Sequence, residues 1–344
     1  MVVFAAIKGR VKLYQVKLPL LLKVKSHILL HCITMAVQLL NELLEGNTKA
    51  LARCISFVEN EQPGYEELLQ SLPPSGVKII GITGPPGAGK STLTDALIGL
   101  LVKSGKKVGV VCVDPSSPFN LGALLGDRIR MSDWYTHPNV FIRSLATRGS
   151  MGGLHPKIIE ITDLMKAAGF DHIIVETVGV GQSEIEIAGL ADVTVVVVVP
   201  EAGDEIQTMK AGLMEIADVF VVNKADRPDA DLFVKNLRQM LAPAFSTHYH
   251  EVPVVKTIAA QKSGIEELLG IILHQLQKAH ITDRTFWLLA EKAFYLIEKK
   301  RMKDVDKAVL KKEIELQHQQ GNFNLYKFVS ENNLTRRTSP YSSL

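Results

Sequence analysis

The chain has 344 residues, of which 47% are apolar, 22% charged and 6% aromatic, and its formal net charge is +3. This composition excludes a disordered, collagen-like or disulfide-built chain, and so small a net charge does not indicate a nucleic-acid partner. The three cysteines form no CxxC pair, which argues against a zinc site or a disulfide framework and favours a reducing compartment.

Residues 1–34 form a basic leader that carries six basic side chains and no acid. The apolar stretch 18–40 is interrupted by Lys23 and Lys25, so we expect no membrane-spanning helix and no membrane partner. Two interpretations of the leader stay open. It is an organellar presequence, which would place the protein in the mitochondrial matrix, or it is a leader without function ahead of Met35 in a cytoplasmic protein.

The next two segments differ in their hydrophobic pattern. Residues 35–74 are predicted to form a helical arm, because their apolar residues recur at helical spacing until a proline pair ends the pattern. Between 75 and 278, helical segments alternate with short runs of Val and Ile, which are typical of strands buried on both faces. These strands are predicted at 77–82, 107–113, 140–142, 172–175, 193–199, 219–222 and 252–256. We therefore expect an α/β fold with a mostly parallel central sheet flanked by helices, and with helical extensions at both ends.

A phosphate-binding loop follows the first strand of this predicted sheet. Residues 84–91 read GPPGAGKS, a full match to GxxxxGK[ST], and a helix-forming stretch follows them. In such a loop successive N–H groups point at phosphates, Lys90 reaches the β and γ oxygens, and the Ser91 hydroxyl binds Mg²⁺. The predicted nucleotide contacts are Gly84, Pro85, Pro86, Gly87, Ala88, Gly89, Lys90, Ser91 and Thr92.

The motif NKAD at residues 223–226, directly after a predicted strand, favours guanine as the base. The Asp226 carboxylate can accept from the ring N–H and the exocyclic amino group of guanine, whereas adenine lacks this donor pair. Asn223 is predicted to support the O6/N7 side of guanine and the loop, and the stem of Lys224 to lie along the base. The backbone near Ala259 and Ala260 is a further candidate contact to guanine O6. The predicted ligand is GTP or GDP.

Three carboxylates lie in strand-end or loop positions where a GTPase needs oxygen ligands for Mg²⁺. They are Asp114, Asp127 and Glu176, which join Ser91 as candidate metal ligands. Glu176 stands where many G proteins carry Asp in a DxxG sequence, so Gly179 is predicted to offer its N–H to the γ-phosphate. For each carboxylate, a helix cap or a surface ion pair is the alternative.

The candidate catalytic residues are Lys90, Glu176, Gly179 and Gln182. Val180 follows Gly179 where Ras-like proteins carry the glutamine that orients water, so we expect slow unaided hydrolysis. Gln182 is the nearest substitute. Four arginines lie near these loops in the sequence, and any one of them could neutralise charge in the transition state: Arg128, Arg130, Arg143 and Arg148.

These motifs resemble the GTPases associated with methylmalonyl-CoA mutase, the ArgK/MeaB type and its mitochondrial relatives. The resemblance covers roughly residues 35–297 and rests on the motifs at 84–91, 113–118, 125–131, 141–149, 176–184, 203–210 and 223–226. It implies a homodimeric G protein that binds an adenosylcobalamin-dependent acyl-CoA mutase, gates delivery of the cofactor by GTP hydrolysis and protects the mutase from inactivation.

The resemblance also assigns mobile segments. It places Asp114 and Asp127 in a first switch, 176–179 in a second, and 200–210 in a third segment that senses the nucleotide and faces the partner. Residues 279–344 would be a C-terminal helical dimerisation region with a frayed tail, although the sequence matches the family poorly beyond Arg301.

Other functions stay open at this point. A nickel metallochaperone GTPase would need a metal site, for which the sequence HYHE at 248–251 is the only local candidate. A small-molecule kinase would usually use ATP, which the NKAD motif argues against, and a binding module without turnover is a further alternative. The chain has no DxHxxG motif for gripping a corrinoid, so B12 is expected to sit on the partner.

Overall fold

The computed structural model of the protein describes residues 2–7, 10–15, 36–114, 131–147, 154–177, 183–202, 211–245, 252–279, 282–303, 305–321 and 323–331. The chain divides into two compact units, Met1–Thr285 and Phe286–Leu344.

The basic leader contains a short β-hairpin that its sequence did not predict. Strands β1 (Val2–Ile7) and β2 (Arg10–Gln15) pair antiparallel, with Val2 opposite Gln15 and Ile7 opposite Arg10. Both strands are rich in β-branched, aromatic and other apolar residues, which suits a strand. The rest of the leader, residues 16–34, lies outside the described residues.

A parallel sheet forms the centre of the first unit. Its strands are β3 (Lys78–Thr83), β4 (Val108–Asp114), β5 (Val140–Ala146), β6 (His172–Glu176), β7 (Val193–Val198), β8 (Val219–Val222) and β9 (Val254–Lys256). Their order across the sheet is β5-β4-β6-β3-β7-β8-β9, and every neighbouring pair is parallel. The predicted α/β class with a mostly parallel sheet is therefore confirmed.

Strand β5 is much longer than its sequence indicated. The predicted strand ends at residue 142, and the next residues, Arg143 and Ser144, are polar. The strand continues to Ala146, since β4 pairs with it along its whole length, from Val108 opposite Val140 to Asp114 opposite Ala146. Backbone pairing with a neighbour thus overrides the local pattern at this edge of the sheet.

Helices flank the sheet, and further helices follow its last strand along the chain. In the first unit they are α1 (36–44), α2 (Thr48–Glu59), α3 (Tyr65–Gln70), α4 (Lys90–Lys103), α5 (Ile158–Ala167), α6 (Ser183–Leu190), α7 (Ala211–Ile216), α8 (Ala230–Phe245) and α9 (Ile265–Lys278). Helix α10 (Asp283–Arg301) begins at the end of that unit, and α11 (Lys307–Gln319) and α12 (Leu325–Glu331) lie in the second. In the described ranges, none of the helices combines the length and apolar character needed to span a membrane.

The core lies on both faces of the sheet. The neighbouring residues Ile79 and Ile80 of β3 are each 1% exposed and belong to different apolar clusters, because side chains alternate along a strand. On one face the cluster includes Leu40, Leu51, Ile55 and Ile161, and on the other it includes Leu93, Leu97, Leu101 and Leu268. Helices α1 and α2 therefore help to bury the sheet, and the predicted helical arm contributes to its core.

Ion pairs also join this arm to strand β5 and to Lys157, the residue before α5. The Arg143 guanidinium in β5 pairs with Glu59 of α2, and Lys157 Nζ lies 2.9 Å from Glu61 Oε1. Lys157 Nζ also lies 4.7 Å from the centroid of the Tyr65 ring. Arg143 was one of four arginines considered for transition-state stabilisation, and its pairing with Glu59 favours a structural role.

The second unit carries a set of exposed aromatic side chains on α10. Phe286, Trp287, Phe294 and Tyr295 are all more than half exposed. Elsewhere in the unit, Phe328 of α12 is buried and its ring lies 6.1 Å from that of Phe323. Exposed aromatic groups of this size on one helix are a common feature of surfaces that bind other proteins.

Candidate functional site

The carboxyl ends of β3, β6, β8 and β9 lie at one edge of the sheet. Since the strands are parallel, their carboxyl ends share this edge, where open α/β sheets bind ligands. This edge brings together the predicted phosphate loop (residues 84–91), Glu176 at the end of β6, and the guanine motif (residues 223–226).

Glycines allow the phosphate loop to pack closely against its neighbours. Gly84 has a φ of +137°, and a Cβ atom there would lie 2.0 Å from the Val197 carbonyl oxygen in β7. Gly89 has a φ of +88°, and its Cβ would lie 2.4 Å from Asn223 Nδ2. A larger residue would clash with backbone at Gly84 and would displace the buried Asn223 side chain at Gly89, and the positive φ adds strain at both positions. The loop leads directly into α4, whose first residue is Lys90, so the positive end of this helix faces the loop.

Lys90 closes the phosphate loop on itself in this structure. Its ammonium group donates to the carbonyl oxygens of Gly84 at 2.8 Å and Pro85 at 3.0 Å, and the residue is only 7% exposed. The ammonium group therefore lies inside the loop, where incoming phosphate oxygens could replace these carbonyl partners. Its predicted contact with the β and γ oxygens remains a prediction.

Glu176 lies between two hydroxyl groups of α4. The Ser91 hydroxyl donates to Glu176 Oε1 at 2.6 Å, and the Thr94 hydroxyl donates to Glu176 Oε2 at 2.9 Å. The Glu176 carboxylate is buried, with 4% exposure. Ser91 and Glu176, two of the four predicted metal ligands, are thus brought together. Thr94 was missed, because a threonine inside a helical stretch gives no sequence signal beyond its spacing of three from Ser91.

A second hydroxyl pair joins the phosphate loop to the segment after β6. Thr83, the last residue of β3, and Thr177 lie with their Oγ1 atoms 2.9 Å apart, and both side chains are buried. The Thr177 N–H also donates to the Ile82 carbonyl at 3.0 Å. The start of the predicted second switch is therefore tied to the strand that enters the phosphate loop.

Asn223 connects the guanine motif to the phosphate loop and to the end of β9. Its Nδ2 donates to the Ala88 carbonyl at 2.9 Å, and its Oδ1 accepts from the Thr257 hydroxyl and from the Ala259 N–H, both at 3.1 Å. With 2% exposure, Asn223 is a buried connection among three loops. The Ala259 N–H donates to Asn223 in this structure. The contact of the backbone at Ala259 or Ala260 with guanine O6 remains a prediction.

Lys224 and Asp226 occupy the outer part of the guanine motif. Lys224 has a φ of +55° and its Nζ donates to the Gly87 carbonyl at 2.8 Å, so its stem runs beside the phosphate loop. Asp226 is exposed. Its carboxylate is thus accessible to a base that would bind beside the Lys224 stem.

Several predicted residues cannot be placed at this edge. Asp127, Gly179 and Gln182 lie outside the described residues, as do Arg128, Arg130 and Arg148. Asp114 is the last residue of β4, and its backbone reaches the same edge of the sheet as Glu176. Their assigned roles therefore remain predictions.

Comparison with known proteins identifies relatives of this chain. A family model described as methylmalonyl Co-A mutase-associated GTPase MeaB matches residues 51–313. A protein of Pyrococcus abyssi that is named as a GTPase is 50% identical over 239 residues, which are 67% of this chain and 73% of that protein. The fused isobutyryl-CoA mutase of Geobacillus kaustophilus is 36% identical over 284 residues, which are 78% of this chain and 26% of that protein.

A solved structure shares the fold. The crystal structure of LAO/AO transport system kinase superposes with a TM-score of 0.60 and 26% identity, and the match covers 88% of this chain and 97% of that one. The fold of this chain is thus that of a known architecture.

Proposed function

Because the chain belongs to the family of methylmalonyl Co-A mutase-associated GTPases, we propose that it binds GTP with Mg²⁺ at the phosphate loop and uses GTP hydrolysis to gate adenosylcobalamin loading into a partner acyl-CoA mutase. In the same role it would protect that mutase from inactivation. As a member of this family the chain is a GTPase, and the identity of the partner and the gating role are the proposal.

The observation that supports the partner most strongly is the fused isobutyryl-CoA mutase. About a quarter of that protein, 26% of its length, aligns with 78% of this chain. A GTPase region in one polypeptide with a mutase is held close to it at high effective concentration, which favours a working relationship between the two. We infer that the present chain forms the same kind of pair without the covalent link.

The phosphate loop and the guanine motif divide the recognition of GTP between them. Loop N–H groups and the positive end of α4 attract the phosphates, and Lys90 exchanges its two carbonyl partners for phosphate oxygens. Asp226 accepts from the ring N–H and amino group of guanine, and the backbone at Ala259 or Ala260 offers an N–H to guanine O6. Asn223 holds these loops together through its hydrogen bonds to Ala88 and Ala259.

The residues beside the phosphate loop suit Mg²⁺. Ser91 and Glu176 supply hydroxyl and carboxylate oxygens, the ligand type that this cation prefers, at the start of α4. Bound there, Mg²⁺ would neutralise charge on the β and γ oxygens during phosphoryl transfer. Ser91 would bind the cation through its oxygen, and Glu176 would hold that hydroxyl through its proton and reach the cation through a water molecule. Asp114 and Asp127 are proposed to contribute further oxygens.

Hydrolysis by the isolated chain is proposed to be slow. Val180 cannot orient water, and Gln182 is the proposed substitute. The Gly179 N–H would contact the γ-phosphate, so loss of that phosphate would release the segment around Gly179. This release, together with the third segment at 200–210, would report the state of the nucleotide to the mutase.

The protein is further proposed to act as a homodimer through its C-terminal region. The exposed Phe286, Trp287, Phe294 and Tyr295 of α10 support an interface on this helix. The nickel alternative would need a metal site. Across the described ranges, no group of three or more His, Cys, Asp or Glu side chains is arranged to hold a metal ion, and residues 248–251 lie outside those ranges.

We expect GTP turnover to rise at least about tenfold when a partner mutase is added, because the partner completes the water-positioning segment. The experiment measures phosphate release by the full chain alone and with purified apo forms of methylmalonyl-CoA mutase and isobutyryl-CoA mutase. Lys90→Ala serves as the control, since it should abolish both basal and stimulated turnover. Equal rates with and without each mutase would contradict the proposed coupling.

A further inference from the structure

Thr94 contacts the candidate metal site through the carboxylate of Glu176. The residue lies in α4 and is fully buried. Its hydroxyl lies 2.9 Å from Glu176 Oε2 and also 2.9 Å from the Lys90 carbonyl oxygen, and it is the donor to both. The single hydroxyl proton is therefore shared between a helix carbonyl and a buried carboxylate.

Thr94 and Ser91 hold the carboxylate of Glu176 by both oxygens. The two hydroxyl groups are three residues apart, so they lie on one face of α4, directly opposite the end of β6. One oxygen accepts from Ser91 at 2.6 Å and the other from Thr94 at 2.9 Å. A carboxylate fixed at both oxygens keeps one orientation, whereas one held at a single oxygen can rotate about its terminal bond.

The orientation of Glu176 decides what Ser91 can offer to a cation. A serine hydroxyl has one proton and two lone pairs, and its proton here is directed to Glu176 Oε1. The lone pairs on the Ser91 oxygen are the atoms that would coordinate the cation. If Glu176 turned away, the Ser91 proton would lose this acceptor, and the bond that directs the hydroxyl oxygen would be lost.

Glutamate needs this second contact more than aspartate would. Its side chain has one more rotatable bond than the Asp of a DxxG sequence, and it loses more rotamer freedom when it is held in place. Burial adds a further demand, because a buried carboxylate oxygen without a donor is costly. The Thr94 hydroxyl meets both demands at Oε2.

We propose that Thr94 is a positioning residue for the Mg²⁺ of bound GTP: its hydroxyl fixes Glu176, Glu176 fixes the Ser91 hydroxyl, and Ser91 binds the cation. The inference rests on the proposed function, since it requires Mg²⁺ to bind with GTP at Ser91. It assigns Thr94 a role in the affinity for the metal and none in the recognition of the base.

A matched residue distinguishes the proposed positioning role of Thr94 from a purely structural role. Thr162 of α5 is also fully buried, and its hydroxyl donates to the Ile158 and Ile159 carbonyls, both at 2.9 Å. It thus makes the same type of helix contact as Thr94, with backbone carbonyls as its acceptors. Thr162→Val removes a hydroxyl of equal burial and leaves Glu176 untouched.

The test titrates MgCl₂ into the full chain with a fluorescent GTP analogue and compares nucleotide affinity in EDTA with that in saturating Mg²⁺. Mg²⁺ is expected to raise nucleotide affinity, and Thr94→Val should increase about tenfold the Mg²⁺ concentration at which half of this gain is reached. A tenfold change is the lower end of the losses typical of outer-shell substitutions at metal sites. Affinity in EDTA should change less than about twofold. Thr94→Ser, which keeps the hydroxyl, should restore the wild-type requirement, and Thr162→Val should match wild type.

Thr94→Ala is measured alongside, because it removes the hydroxyl without adding a methyl group and gives the same expectation should the valine variant fail to fold. An unchanged Mg²⁺ requirement in either hydroxyl-free variant would overturn the role of Thr94. So would an equal rise in Thr162→Val or a failure of Thr94→Ser to restore the requirement. In each of these cases wild-type binding of Mg²⁺ and GTP would stand. A wild-type chain that binds no GTP would overturn the proposed function and this inference together.

Discussion

Replacement of Asp226 by asparagine is expected to weaken GTP binding by about 2–3 kcal/mol, or roughly 30–150-fold, because two hydrogen bonds to a charged acceptor are lost or altered. The carboxylate accepts from two donors of guanine, whereas an amide has one acceptor oxygen and would direct its NH₂ group at a donor. Xanthosine triphosphate carries a carbonyl where guanine carries the amino group, so it should bind the variant better than GTP does. Equilibrium titration with both nucleotides measures the change.

A matched control separates base recognition from the change in charge. Asp229 is also exposed, lies three residues further along the chain, and has a φ of +63° that asparagine tolerates. Asp229→Asn alters the net charge by the same amount and should leave GTP affinity within about twofold, as expected for a change at an exposed site without a ligand contact. Unchanged GTP affinity in Asp226→Asn would refute the assignment of the base.

Gly84→Ala is expected to lower the free energy of unfolding of the first unit by about 2–5 kcal/mol, since it combines overpacking with backbone strain. Its new Cβ would lie 2.0 Å from the Val197 carbonyl oxygen, and its φ of +137° suits glycine alone. Nucleotide binding should be lost as well, because the loop must shift away from β7. Urea denaturation in a Trp287→Phe background follows the first unit through Trp134, the other tryptophan of the chain.

Gly87→Ala is the comparison for this variant. Gly87 has a φ of +78°, but no atom lies within 4 Å of a Cβ built there. Only strain remains, which costs about 1 kcal/mol in the left-handed region. Equal denaturation midpoints for the two alanine variants would show that the contact with Val197 does not determine the cost.

The sheet and the nucleotide loops were predictable because their signals are local. Runs of Val and Ile mark strands that helices cover on both faces, and a glycine-rich turn between a strand and a helix has few other uses. The continuation of β5 through Arg143 was not predictable, since it depends on pairing with β4. The hairpin at residues 2–15 was missed for a different reason, because its basic residues were interpreted as a leader.

Within the site, the sequence indicated which residues matter more clearly than what they touch. Asn223 was expected to support the base and the loop. The structure directs its side chain to Ala88, Thr257 and Ala259. Thr94 carries no motif of its own, and its importance appears only when the end of β6 is placed against α4. Such contacts join residues more than 30 positions apart, so no local pattern could reveal them.

The central claim is that the phosphate loop and the guanine motif form one pocket for GTP. Calorimetric titration of the full chain with GTP and with ATP, both in Mg²⁺, tests this claim most directly. We expect GTP to bind stoichiometrically and at least about 100-fold more tightly than ATP, since a site built to pair both guanine donors rejects a base that lacks them. Equal affinity for the two nucleotides, or no binding of GTP, would contradict it.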